Sequence, residues 1–407
     1  METLKIALAS DWFHPKVGGI ETHIHELALK LLEKGHEPHV ITHDYRVLSP
    51  YNDSFPYPVH RFSAFVYFKE SHISLGPNLL WKANELYRSV GFDITHVHSI
   101  YSPLSIAIAN LSRGIRGVPV AATNHSFFGK PRLGFLILRL IRYYTSRIDV
   151  FIAVSSPVAK DTRRVLGRSL RGRPVYTIPN AVDPGFWRPP SWEERAKARR
   201  ELGLDESGVA VAVVGRLTER KGVHMVPGIL RRARRLAGGD RLFLVIAGDG
   251  PLKSKIMEEI TMNGLDGSSK LLGFMPRSRL RMVYWAADAL LIPGPLEALP
   301  ITSLEAMSCG LPVIAWRGSG LTDVIVNGET GFLVHGPGEF AEKLALLASD
   351  EELRFRLGEN ARRRVLNEFS WDKVLDKILS VYREAMERAD GEDKRYLLYK
   401  LWRRIKG

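Results

Sequence analysis

Residues Asp288–Trp316, DALLIPGPLEALPITSLEAMSCGLPVIAW, set out a strand, a loop, a helix and a second strand in that order. DALLIPG and LPVIAW are short apolar runs closed by turn residues, the pattern of buried parallel strands. Upstream, GVAVAVVG, RLFLVIAG and SKLLGF repeat it, each followed by turn residues and a helical stretch. The first half of the chain alternates in the same way. LKIALAS, PHVITHD, DITHVHS, VPVAATNHS and DVFIAVS are its expected strands, and GGIETHIHELALKLLEKGH is a helix closed by Gly35. Strands alternating with helices predict α/β structure with parallel sheets.

A chain of 407 residues suits two domains of about 200 residues each. The prolines and tryptophan of IPNAVDPGFWRPPS mark a linker within Pro174–Arg199, before the charged helix SWEERAKARREL. The expected division is 1–185, 186–375 and a C-terminal helical segment, 376–407, packing on the first domain or on a membrane. Two doubly wound domains facing a central cleft would bind ligand at the carboxyl ends of both sheets.

The composition describes an ordered protein, 45% hydrophobic and 25% charged. No apolar run reaches the roughly 20 residues of a spanning helix. The N-terminus passes from an apolar stretch into Asp11 without a small-residue cleavage site, so it reads as a first strand and a cytoplasmic location is expected. A lone cysteine, Cys309, excludes an intrachain disulfide and a cysteine metal cluster. The net charge of +14 calls for a phosphate-bearing or acidic partner. Residues 128–173 hold eleven Lys/Arg against two acids, interleaved with aliphatic runs such as GFLILRLI. That pattern suits an anionic membrane surface better than nucleic acid, although a helix with a solvated basic face has the same composition.

Three motifs carry chemistry. KVGG, Lys16–Gly19, follows a strand and opens a helix, so its backbone amides can meet a phosphate; the plainer reading is that its glycines only make a tight βα turn. Arg216 follows GVAVAVVG, and Lys221 comes five residues later. A planar guanidinium and a point ammonium together suit a leaving diphosphate without a divalent ion; an Arg216–Glu219 surface pair is the plainer reading. Glu297 lies in the loop after DALLIPG and Glu305 on the next helix, where a carboxylate can accept from a ribose diol. The helix start around Leu299, Pro300, Ile301 and Thr302 adds phosphate contacts through its N-terminal amides, Pro300 itself having no N–H to donate. Paired carboxylates also serve retaining hydrolases, but the flanking phosphate-binding residues weigh against one. His96 and His98 share one face of a strand, and no cysteine or close carboxylate completes a zinc set, so no metal site is expected.

The ordered set VGGIETHIHELALKLLEKGHEPHVIT, IPNAVD, GRLTERKG, AGDGP, LLGF and E-x7-E leading into EAMSCGLPVIA resembles glycosyltransferase family 4, retaining enzymes of the GT-B fold, over nearly the whole chain. The resemblance implies that Gly18 and Gly19 line a donor diphosphate, Arg216 and Lys221 neutralise it, and Glu305 holds the ribose. Glu297 then contacts the sugar region, and Gly273, Phe274 and Met275 meet the nucleobase mainly through backbone. His125 in TNHSFF matches the family's active-site histidine. The implied route is front-face attack, in which the departing phosphate takes the acceptor proton, with no cofactor and no metal. Within the family, SDWFHPKVGGIETHIHEL and TNHSFFGK look most like enzymes that transfer N-acetylglucosamine or mannose to phosphatidylinositol. That likeness places Asp11, Trp12, Glu21, His23, His98 and Asn124 at the acceptor, and implies a lipid head group at a membrane surface. In KRYLLYKLWRRIKG, Leu398, Leu401, Trp402 and Ile405 form an apolar stripe flanked by basic residues, which fits the same surface or a docked helix. Gly294 and Ala298 stand where the family often has serine and glycine. A nucleotide-sugar epimerase, a transferase acting on soluble sugar or polysaccharide, and a donor-binding sensor are the alternatives.

Overall fold

A computed structural model of the chain describes residues 2–16, 18–44, 54–63, 66–68, 73–75, 79–128, 143–239 and 241–406, and the side chains of all of these except 66–68, 73–75 and 392–406. The chain divides into two compact units, Met1–Pro179 with Val374–Gly407, and Asn180–Lys373.

In the first unit, β1 (Lys5–Ala9), β2 (Glu37–Asp44), β3 (Val59–Ser63), a small hairpin of β4 (Val66–Phe68) and β5 (Ile73–Leu75), β6 (Ile94–His98), β7 (Val120–Asn124), β8 (Val150–Ala153) and β9 (Val175–Thr177) follow one another along the chain. The hairpin stands apart, and the rest form one parallel sheet in the order β3-β2-β1-β6-β7-β8-β9. Ile6, Ala7, Leu8 and Ala9 are all 0% exposed, because helices cover both faces of such a sheet. The helix Gly19–Glu33 ends as its sequence predicts. Gly35 takes φ +83°, its amide donates to Leu32 O, and the His36 amide donates to Leu31 O. Only a residue free of a Cβ adopts that left-handed turn at no cost.

The second unit repeats the plan with β10 (Val209–Val214), β11 (Leu242–Ala247), β12 (Ser269–Gly273), β13 (Ala289–Ile292), β14 (Val313–Trp316) and β15 (Gly331–Val334), ordered β12-β11-β10-β13-β14-β15 and all parallel. Strand order reverses between β10 and β13, which makes their carboxyl ends the switch point where such sheets bind ligands. β3, the hairpin strands β4 and β5, β9 and β15 are additional to the expected strands. β9 lies inside the stretch that reads as linker, since Pro174 can open an edge strand without needing an amide donor.

Much of the basic stretch, residues 129–142, lies outside the described residues, as do the side chains of Leu398, Leu401, Trp402 and Ile405. The remainder includes the helix Ser156–Leu166. It buries Val158, Ala159, Thr162 and Leu166 and exposes Lys160, Arg163 and Arg164.

The long helix Trp371–Lys406 is part of the first unit from Val374 onward. Tyr382 is fully buried, and its hydroxyl bonds His96 Nδ1 at 2.8 Å, while His96 Nε2 meets Thr123 Oγ1 at 2.7 Å. Arg113 Nη2 donates to the Ala389 carbonyl at 3.3 Å. Replacing Tyr382 with Phe keeps the ring but orphans a buried imidazole nitrogen, so Tyr382→Phe should lower stability by about 1–3 kcal/mol in urea denaturation. A change within a few tenths of a kcal/mol would show that this bond does not anchor the helix.

Candidate functional site

In the second unit, glycines let the strand ends approach one another at backbone distance. A Cβ on Gly248 would lie 1.9 Å from Gly215 O, and one on Gly250 would lie 2.6 Å from Leu217 O. Arg216 leaves β10 at this point, exposed and, among the described residues, without an ion pair to Glu219 or any other acid. The turn Glu219–Lys221 ends at Gly222, which has φ +66°. A Cβ there would strike Pro293 O at 2.2 Å, so only glycine allows the Lys221 turn to lie against the loop after β13.

That contact brings Lys221 Nζ to Glu297 Oε2 at 2.9 Å. Glu297 is 5% exposed, and its other oxygen, Oε1, is buried without a hydrogen-bond partner among the described residues. Gly294 explains one departure from the family pattern. A Cβ on it would stand 2.9 Å from Glu297 Oε1 and 3.0 Å from Arg220 O, so a serine would displace the carboxylate. The loop is tied down by Gly320 N donating to Glu297 O and by Asn180 Nδ2 donating to Leu299 O, both at 2.7 Å. Asn180, from IPNAVD, is a positioning residue that sequence reasoning does not single out.

Pro300 precedes the helix Ile301–Ser308 and offers its first amides no side-chain cap. Glu305 on this helix is 5% exposed and accepts from the Tyr284 hydroxyl at 2.8 Å. Burial, and then the adjacent Glu305 charge, push the Tyr284 hydroxyl well above its usual range, so it remains a donor. Gly273 ends β12 with φ +69°, Phe274 is 57% exposed and Met275 is half-buried. Cys309 is buried, which raises its thiol pKa and leaves it inert.

In the first unit the expected residues separate into two kinds. Asp11 is 0% exposed and accepts from the Leu104 and Ser105 amides at 3.2 and 3.3 Å, with His43 Nε2 at 3.3 Å. Its carboxylate therefore caps the helix Pro103–Leu111 instead of presenting itself to an acceptor. Asn124 is likewise 0% exposed, donating to Thr162 Oγ1 and accepting from the Ser126 amide. Trp12 is half-buried. Glu21 folds back on the start of its own helix, so that a Cβ on Gly18 would lie 2.5 Å from its Oε2, whereas Gly19 has open space around it. A carboxyl group thus already sits at Gly18.

The other kind converges. His23 faces inward from the helix Gly19–Glu33, His98 ends β6, and His125 follows the adjoining β7. His98 Nδ1 and His125 Nε2 are 3.1 Å apart, and the His23 ring centroid lies 5.5 Å and 5.0 Å from theirs. Burial holds all three rings neutral; His23 falls to about 4, and His98 and His125 lie well below the ordinary value. Looking along one strand for a second ligand misses this set, because its members lie on three elements far apart in sequence.

The family model described as "Glycosyltransferase Family 4" matches residues 17–186, and that described as "Glycosyl transferases group 1" matches 194–364. An uncharacterized glycosyltransferase of Methanocaldococcus jannaschii is 27% identical over 400 residues, covering 94% of this chain and 99% of its own. A phosphatidylinositol N-acetylglucosaminyltransferase subunit of Arabidopsis thaliana is 27% identical over 391 residues, covering 94% of this chain and 83% of its own. Among solved structures, Anabaena HepE in complex with UDP and glucose superposes with a TM-score of 0.77 at 19% identity, covering 93% of this chain and 99% of that one.

The Lys221–Glu297 contact and the buried histidines each lead to a measurable outcome. Lys221→Met strands a buried carboxylate. Because the lysine is 34% exposed, the loss should be about 1–3 kcal/mol, below the roughly 3–5 kcal/mol of fully buried pairs. Adding Glu297→Gln should return about 1 kcal/mol or more of it, read as the coupling in a double-mutant denaturation cycle; strict additivity would deny the pair. The histidines make the first unit acid-labile. His23 and His96 have native values of about 4 and about 3 against 6.5 in the unfolded chain. They carry no penalty above pH 6.5, and below it the unfolded chain alone takes up protons, so each ring costs about 1.4 kcal/mol per pH unit down to its native value. Denaturation midpoints should fall from pH 6.5 to 4; a flat profile would refute neutral burial.

Proposed function

Because the chain belongs to the family 4 glycosyltransferases of the GT-B fold, we propose that it is a retaining enzyme. It moves a hexosyl or N-acetylhexosaminyl group from a nucleotide-diphosphate sugar to a lipid head group of the phosphoinositide class, on the cytoplasmic face of a membrane. The observation that carries the donor half is the pair of cations at the β10–β13 switch point. Arg216 is exposed and without an ion pair among the described residues, and Lys221 is held 2.9 Å from Glu297. In the reaction, the bond between the anomeric carbon and the leaving diphosphate lengthens and negative charge gathers on the phosphate oxygens. Arg216 grips those oxygens with its planar fork, and Lys221 adds a point charge fixed before substrate arrives. The leaving phosphate takes the acceptor hydroxyl's proton as the new bond forms on the same face. Cationic side chains then supply the neutralisation that a divalent ion would otherwise provide.

At this centre, the uncapped first amides of the helix Ile301–Ser308 take further phosphate oxygens. Glu305, oriented by Tyr284, receives the ribose diol, and Gly273 to Met275 receive the base. The family resemblance alone assigns His125 to the sugar. UDP-N-acetylglucosamine is the favoured donor and phosphatidylinositol the favoured acceptor. What supports both is the likeness, over nearly the whole chain, to the phosphatidylinositol N-acetylglucosaminyltransferase of Arabidopsis. The exposed Lys160, Arg163 and Arg164 give the first unit a basic face for anionic lipid.

Purified protein incubated with a panel of nucleotide sugars should release nucleoside diphosphate only when liposomes containing phosphatidylinositol are present. Arg216→Ala should lower turnover by about 100-fold or more, with little effect on stability because the side chain is exposed, and EDTA should leave turnover unchanged. Donor conversion without lipid would overturn the acceptor assignment, and EDTA inhibition reversed by magnesium would overturn the metal-free route.

A further inference from the structure

We infer that His23, His98 and His125 form a binding site for a divalent cation of the zinc class, with three imidazoles as ligands and a fourth position left open. One ring nitrogen from each residue lies within 4.8 Å of the other two. Around a tetrahedral zinc bonded at roughly 2.0–2.1 Å, such nitrogens stand about 3.3–3.4 Å apart. The His98–His125 pair is already at 3.1 Å, so only His23 has to close in, by roughly 1 Å or more.

The chemistry of the set matches the ion. Zinc takes imidazole in its neutral form, and burial keeps all three rings neutral. His98 is 0% exposed and turns its Nδ1 to His125, so a cation at that spacing takes the Nδ1 lone pair in place of the hydrogen bond between the two rings. The neighbouring His96 is not a competitor. Both its nitrogens are engaged, by Tyr382 and Thr123, and it fixes one wall of the site, its ring 4.2 Å from that of His98. His125 is only partly buried, which leaves the open position a side from which to be reached. Three histidines and no carboxylate favour zinc, copper or nickel over magnesium or calcium.

His125 is also the residue assigned above to the donor sugar. A cation held by its ring therefore blocks the step that uses it, and zinc inhibits transfer. This consequence rests on the proposed function, whereas binding does not.

The full chain, stripped with chelator and titrated with zinc chloride against a zinc-binding dye, should take up one equivalent. His125→Ala should weaken that affinity by more than the roughly 10–100-fold that loss of an outer-shell partner costs. His60→Gln, which removes one member of the separate His39–His60 pair, should leave it unchanged. Since His23 and His98 are buried and their variants can fail to fold, the ligands are also read in the unaltered protein. X-ray absorption of the zinc-loaded chain should show imidazole nitrogens at roughly 2.0–2.1 Å. No uptake, full affinity in His125→Ala, or a shell without imidazole scattering would overturn the site. Zinc should suppress sugar transfer with the same midpoint as its binding, and EDTA should restore it. One bound equivalent with transfer undiminished would leave the site standing and remove both the inhibition and the role given to His125.

Discussion

The second unit is organised around one contact, the seating of Lys221 against Glu297. It depends on two glycines that leave no room for a side chain. Gly222 lets the lysine turn rest on Pro293 O, and Gly294 leaves space for the glutamate's carboxylate. A lysine about one-third exposed and a buried glutamate cost more to desolvate than a surface pair and return little net stability. What the arrangement secures is position. The ammonium stands at the switch point of the sheet, held by a carboxylate whose other oxygen is unpaired among the described residues, and an arriving diphosphate can share the cation without first having to order it. Arg216 is exposed and has no such tie among those residues.

The two units solve electrostatics in opposite ways. In the second, charge is concentrated at the strand ends and held by opposite charge. In the first, the strand ends carry imidazoles kept neutral by burial, and the acids nearby serve the protein itself: Asp11 caps a helix, and Glu21 turns back on the start of its own. A neutral, hydrogen-bonding surface suits a sugar hydroxyl, and the same lone pairs suit a soft cation. One property, burial without charge, underlies both capacities.

How much of this was legible depends on whether a feature is local. The Gly35 helix stop, the run of apolar strands and the order of strand, loop and helix around Glu297 are written in adjacent residues, and the structure has them. β3, β9 and β15 are short edge strands with little apolar periodicity, and their place is fixed by the partner strand and not by their own pattern. Gly294 reads as a departure from the family until the backbone shows what a Cβ would strike. Asp11 and Asn124 look like ligand-facing polar residues because sequence displays residue type and not the direction of a side chain. Both turn inward to satisfy backbone and hydroxyl groups that burial would otherwise leave unpaired.

The histidines carry that lesson further. Period-two alternation places His96 and His98 on one face of β6, and their rings are indeed 4.2 Å apart. Shared facing does not give shared function. His96 is claimed on both nitrogens by Thr123 and by Tyr382 of the C-terminal helix, so it belongs to the core. His98, two residues on, stands at the carboxyl end of this central strand and meets His125, just past the next strand, and His23 of the first helix. A displacement of two residues along one strand thus separates a structural imidazole from one with a nitrogen still to satisfy. The docking of the long helix, through Tyr382, is what keeps the two apart.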